Sequence, residues 1–255
     1  MKIIHANRFG EGKDLVVIHG FLGMGDNWKS LGKKWAQKRY RVHLLDMRNH
    51  GRSFHDDTFN YQVMTQDVKN YLNEQKIENC ILIGHSMGGK VAMQLATSKS
   101  ELVTKLIVVD IAPRYYPKHH VNILNALSLL DDHKLTSRKE ADKLLSNKID
   151  EVGIRQFLLK NLYRTDENEL KLRLNLKAVQ ENLEEIGQGL ADELIYNGPV
   201  LFIKGGTSDY IKASDEKKIF HHFPQARVQI VENAGHWVHA EQPDTFFEEV
   251  DKYIE

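Results

Sequence analysis

Six short apolar runs punctuate the chain, at residues 15–19, 41–46, 79–83, 106–110, 200–203 and 228–231. Each has the length and composition of a β-strand. Between them, residues 30–38, 61–75, 90–97, 214–222 and 245–254 carry helical patterning. Asn27 and Ser30 are candidate caps for the first helix, and Pro243 suits the start of the last. Strand and helix in alternation predict an α/β fold with a mainly parallel sheet covered on both faces. In such sheets the active site lies at the carboxyl ends of the strands.

One interval breaks this rhythm. From Ile111 to Gly198 the chain turns rich in Leu, Lys and Glu, with helical patterning at 122–130, 137–148, 154–163 and 177–186. The stretch 170–176 alternates with period two, as a short extended piece would. This is too much chain for a loop. It reads as a helical cap at 111–198, inserted between two strands of a core made of 1–110 and 199–255. The plainer alternative is a set of packing helices with no role at a site.

A chain of 255 residues that is 41% hydrophobic can fill a substantial core. Lys plus Arg and Asp plus Glu number 35 each, a balance that points away from nucleic acid and anionic membrane surfaces. Cys80 stands alone, so no internal disulfide forms. It lies in an apolar run, where burial keeps a thiol inert. The opening Met1-Lys2-Ile3-Ile4-His5 is too polar for a secretory signal, and no apolar run is long enough to span a membrane. A cytoplasmic location is the expectation.

The candidate chemistry centres on Gly84-His85-Ser86-Met87-Gly88, which follows an apolar run and precedes a helical one. A G-x-S-x-G string in that setting is a nucleophile elbow: a strand-to-helix turn tight enough to strain Ser86 and lift its hydroxyl above the sheet. A serine hydroxyl needs a base to take its proton, and an imidazole base needs a third group to hold its tautomer. His236, in Asn233-Ala234-Gly235-His236-Trp237 after the last predicted strand, is placed to serve as base. Most of the 13 histidines fit structural or solvated roles, and no metal-binding spacing is present. Two residues compete for the acid. Asp110 ends the 106–110 strand, where a carboxylate is costly to bury unless paired. Asp209 lies in the Gly205-Gly206-Thr207-Ser208-Asp209 loop, with Ser208 beside it as a supporting hydroxyl. The oxyanion of an acyl-transfer intermediate needs N–H donors. Met87, next to the nucleophile, supplies one, and Phe21 in His19-Gly20-Phe21-Leu22-Gly23 is the candidate for the other. The polar run Asp46–Ser53 reads as a loop that braces these. Trp28, Tyr115, Tyr116, Phe157, Tyr163, Tyr210 and Trp237 are candidate walls of an acyl pocket.

These strings together resemble the α/β-hydrolase superfamily over essentially the whole chain. The combination D-M-R-N-H-G, G-H-S-M-G-G-K, V-D-I-A-P, Q-F-L-L-K and A-G-H-W-V-H-A-E is similar to the YbfF-type small bacterial esterases. These are in turn similar to the mitochondrial abhydrolase-domain esterase group. The resemblance implies a serine hydrolase of short to medium acyl esters or thioesters that uses no cofactor. It implies the Asp of the D-I-A-P string, Asp110, as the triad acid, with Ser208 near the histidine. Asp209 stands where many other members of the superfamily keep their acid. The scaffold also hosts C–C bond hydrolases, a menaquinone-pathway lyase and small-molecule receptors that retain the triad, since fold alone does not settle function. Oligomeric state is left open.

Overall fold

The computed structural model describes residues 2–118, 120–131 and 133–255. Seven strands form one sheet: β1 (Ala6–Phe9), β2 (Lys13–Ile18), β3 (Tyr40–Leu45), β4 (Cys80–His85), β5 (Val103–Val109), and, after a two-stranded β6 (Leu162–Arg164) and β7 (Leu170–Leu172), β8 (Val200–Gly205) and β9 (Ala226–Val231). The order in the sheet is β1-β3-β2-β4-β5-β8-β9, and every pairing is parallel except β1 with β3. The six predicted strands are all present, with ends shifted by up to three residues. The additional edge strand β1 carries Asn7 and Arg8 at its centre and is only partly buried, so it has no apolar run to announce it.

Helices α1 (Lys29–Gln37), α2 (Tyr61–Glu74) and α3 (Met87–Ser98) follow β2, β3 and β4. Then come α4 (Val121–Asp131), α5 (Arg138–Ser146), α6 (Val152–Leu159), α7 (Leu176–Glu181) and α8 (Leu183–Gly187), all between β5 and β8. The chain ends with α9 (Glu216–His222), α10 (Val238–Glu241) and α11 (Pro243–Ile254). Pro243 opens α11 as predicted. The residue capping α1 is Trp28; Asn27 turns back instead, and its side chain accepts from the Met24 N–H at 2.7 Å.

Alternate residues of the central strands feed two cores. Leu15, Val17, Ile81, Ile83, Ile107 and Val109 pack with α1 and α11, whereas Val16, Ile18, Leu82, Leu106 and Val108 pack with α2 and α3. Strands buried on both faces are apolar throughout, which is why they stood out in the sequence. The second core continues into the inserted helices through Leu124, Leu127, Leu158 and Val179.

Two predicted helices in the insertion end early, for a local reason. The helix at 154–163 stops at Leu159 because buried Asn161 turns its amide onto the Leu158 and Leu22 carbonyls, at 3.2 and 2.9 Å, and releases the chain into β6. The one at 177–186 breaks at Asn182, whose side-chain amide donates to Ala178 O and Asp57 O. No helix among the described residues is long and apolar enough to cross a membrane.

Candidate active site

The connection from β2 to β3 runs one way along the sheet and that from β3 to β4 runs back across β2. The carboxyl ends of β2 and β4 therefore flank the point where the winding reverses, the crevice in which ligands of open α/β sheets bind. Ser86 lies between the last residue of β4 and the first of α3, at φ 53° and ψ −117°. A non-glycine residue there is strained by about 1–3 kcal/mol. The turn holds because the Ser86 N–H donates to Val109 O at 3.0 Å and the Lys90 N–H to Ser86 O at 3.1 Å. Gly88 lets α3 press onto β2, since a Cβ there would stand 2.4 Å from Ile18 O.

Asp110 follows the last residue of β5, wholly buried and in a left-handed conformation, φ 50°. Its Oδ2 accepts from His236 Nδ1 at 2.8 Å and from Ser208 Oγ at 2.5 Å, and its Oδ1 accepts from the Gly205 N–H at 3.0 Å. Asp209 points elsewhere: it is exposed, and no hydrogen bond or ion pair of the described residues involves it. With Nδ1 committed to the carboxylate, the basic lone pair of His236 sits on Nε2. Ser86 and His236 line a single cavity of about 230 Å³. No hydrogen bond joins them among those of the described residues; such contacts are often long without substrate and tighten when it binds.

Phe21 and Met87 line one pocket together with Ser86. In the β2 loop, the Leu22 N–H donates to His50 Nε2 at 3.2 Å and the Gly23 N–H to Gly20 O at 3.0 Å. The Phe21 N–H lies between these two and has no acceptor among the described residues, nor has that of Met87 at the start of α3. The 46–53 loop braces this arrangement. Met47 N–H donates to His19 Nε2 at 3.0 Å, Asp46 Oδ1 and Oδ2 accept from the Gly25 and Arg52 N–H groups, and a buried Arg48–Asp67 pair ties the loop to α2.

Several contributors gave no sequence signal of their roles. Tyr210, a candidate pocket wall from the sequence, lies flat on His236 with ring centroids 3.7 Å apart. His85 binds the His236 carbonyl at 2.9 Å through Nε2 and fixes the backbone that carries that ring. His239 stacks on Trp28, which is core and not pocket. Burial drives the pKa of His85 well below the ordinary range and brings His19 to about 4 and His50 and His239 to about 3. These rings stay neutral at neutral pH, and none of them bonds a carboxylate, whereas His236 bonds that of Asp110. Cys80 is buried, with its thiol pushed up to about 12 by desolvation. Among the described residues no group of three or more His, Cys, Asp or Glu is gathered to hold a metal ion.

The comparisons agree on one family. Residues 14–133 match the family model for the α/β-hydrolase fold. The mouse sn-1-specific diacylglycerol lipase ABHD11 is 39% identical over 247 residues, covering 94% of this chain and 80% of that protein. The Escherichia coli esterase YbfF is 34% identical over 241 residues, covering 94% and 92%. Among solved structures, a marine microorganism esterase superimposes with a TM-score of 0.96 at 37% identity, covering 99% of this chain and 100% of that one. Fold, site architecture and relatives together place this chain in the α/β-hydrolase family, as an esterase of the YbfF type.

Proposed function

We propose that the protein cleaves carboxylic esters through a Ser86–His236–Asp110 triad and an acyl-enzyme. The observation that carries this reading is the 2.8 Å bond to buried Asp110 from Nδ1 of His236, a residue that lines the same cavity as Ser86. His236 Nε2 takes the proton of Ser86 as Oγ attacks the acyl carbonyl. The N–H groups of Phe21 and Met87 receive the oxyanion. His236, now an imidazolium held by Asp110, gives its proton to the leaving alcohol, and water then repeats the sequence on the acyl-enzyme. Ser208 holds Oδ2 of Asp110 from the other side and keeps the carboxylate aimed.

The same logic orients the substrate. The leaving oxygen must lie against His236, so the alcohol occupies the 230 Å³ cavity lined by His236, Trp237, Ile154 and Phe157. Those last three residues also line a groove of about 450 Å³ between α6 and α10, so an extended apolar alcohol has room to run outward. The acyl group takes the opposite side of Ser86, a tight pocket of about 30 Å³ beneath Tyr61, Tyr116 and Leu183. We assign the 111–198 segment as the lid that closes both. The substrate class is a small-molecule ester with a short acyl chain. Ser86→Ala is expected to lower kcat on a small aryl ester by roughly 10⁶-fold. Near wild-type turnover in that variant overturns the proposal. So does a preference for long acyl chains on short alcohols, as far as the orientation is concerned.

A further inference from the structure

Lys90 carries a buried amine that the mechanism above does not use. It lies one turn into α3 from Ser86, 1% exposed, and its Nζ donates to two backbone carbonyls, Arg114 O and Gln188 O, both at 2.5 Å. Those carbonyls belong to the two chain segments that lead into and out of the inserted helices. The segments are also laced to each other, Tyr116 N–H to Gly187 O at 2.8 Å and Leu190 N–H to Pro113 O at 2.9 Å. The Tyr61 hydroxyl adds a bond to Ile186 O at 2.7 Å. Tyr61, Tyr116, Ile186 and Gly187 are walls of the tight pocket beside Ser86. Tyr116 OH in turn binds the carbonyl of Tyr210, the residue stacked on His236.

We infer that Lys90 is a positioning residue that fastens both segments to α3, sets the width of the acyl pocket, and loosens it when protonated. The inference rests on the assignment of that pocket under the proposed function. Two N–H donors meet two carbonyls, so a neutral amine satisfies the site. The third N–H of an ammonium faces the rings of Tyr116 and Tyr61 at 5.0 and 5.8 Å, a cation–π contact that offsets only part of the cost of desolvation. The charged groups around it give no compensation. Arg114 and Lys218 repel it, and Asp215 is paired with Arg114 at 3.0 Å. Burial and this repulsion bring the Lys90 pKa down to about 7. Since an ammonium regains hydration when the segments part, proton uptake favours the open pocket and proton loss the closed one.

The test is the ratio of kcat/KM for a hexanoate over an acetate of one aryl alcohol, measured from pH 5.5 to 9. Any ionisation that affects the two substrates alike cancels in the ratio. In the wild-type enzyme the ratio falls as pH rises through about 7. Lys90→Met, which keeps the volume and loses the donors, raises the ratio at pH 8 by at least roughly 10-fold, the discrimination exercised on one of the four methylenes by which the two acyl groups differ, and makes it independent of pH. Lys90→Arg, permanently charged, is independent of pH as well. Should Lys90→Met not fold, the wild-type profile and Lys90→Arg carry the test. A flat wild-type ratio, or a Lys90→Met ratio equal to that of wild type at pH 8, overturns the role of Lys90. A wild-type enzyme indifferent to acyl length overturns the acyl-pocket assignment as well.

Discussion

Replacing Asp110 by asparagine removes one charge and sets two donors against each other. The carboxylate accepts on both oxygens, from Gly205 N–H at Oδ1 and from His236 and Ser208 at Oδ2. An amide has a single oxygen. If that oxygen keeps Gly205, the NH2 faces His236, whose Nδ1 must then accept. The ring is forced into the tautomer with a proton on Nε2, and it can no longer take one from Ser86. If the amide turns over, its NH2 confronts the Gly205 N–H and a buried donor is orphaned, at a cost of about 1–3 kcal/mol. The first arrangement is therefore favoured. In a serine protease the equivalent loss lowers kcat by about 10⁴, or about 5.5 kcal/mol of transition-state stabilisation. The expected result is that drop in kcat on 4-nitrophenyl acetate, with a folded protein by circular dichroism. Asp209 is exposed and takes no part in the hydrogen bonds at Asp110 and His236, so Asp209→Asn leaves kcat close to wild type and shifts stability by no more than about 0.5 kcal/mol. Asp110→Asn within tenfold of wild type, or Asp209→Asn as the crippling change, would refute the reasoning.

Two further outcomes follow from packing and burial. A Cβ at Gly20 would stand 2.5 Å from His85 Nδ1 and 3.3 Å from Ser86 Cβ. Gly20→Ala is therefore expected to cost about 1–3 kcal/mol in thermal or urea unfolding, and to lower kcat by about 10²-fold through a displaced Phe21 N–H. His19, His50 and His239, brought to about 4, 3 and 3, are neutral in the fold but titrate near 6.5 when unfolded. The unfolded chain thus binds more protons between pH 6.5 and 4, and stability is lost as pH falls through that window. With three such rings the slope reaches about 4 kcal/mol per pH unit. Urea unfolding at pH 7, 6 and 5 measures it, and a flat dependence would contradict the assigned burial.

What was legible in the sequence depended on whether the signal was local. The central strands read clearly because burial on two faces leaves no room for polar residues. Edge strand β1 did not, since its partners lie 39 to 33 residues away in the register Ala6 with Leu45 to Phe9 with Val42, and Asn7 and Arg8 mask it. Ser86 was legible from five consecutive residues. The partnership of His236 with Asp110 joins positions 126 apart, and only the strand order brings them together. Tyr210, His85 and Lys90 each act through a contact with a distant backbone or ring, and no spacing in the chain encodes that. Asn161 was the least legible. An asparagine inside an apolar helical pattern reads as tolerated polarity, whereas here it ends the helix and clamps the insertion onto the Leu22 carbonyl of the loop beside Ser86.

The central claim is that Ser86 Oγ is the atom that bonds to carbon. Intact-mass and peptide mass spectrometry after reaction with a fluorophosphonate test it directly. The expected result is a single stoichiometric adduct on Ser86, absent in Ser86→Ala and formed far more slowly in Asp110→Asn. An adduct on another residue, or none while ester hydrolysis persists, would contradict the account.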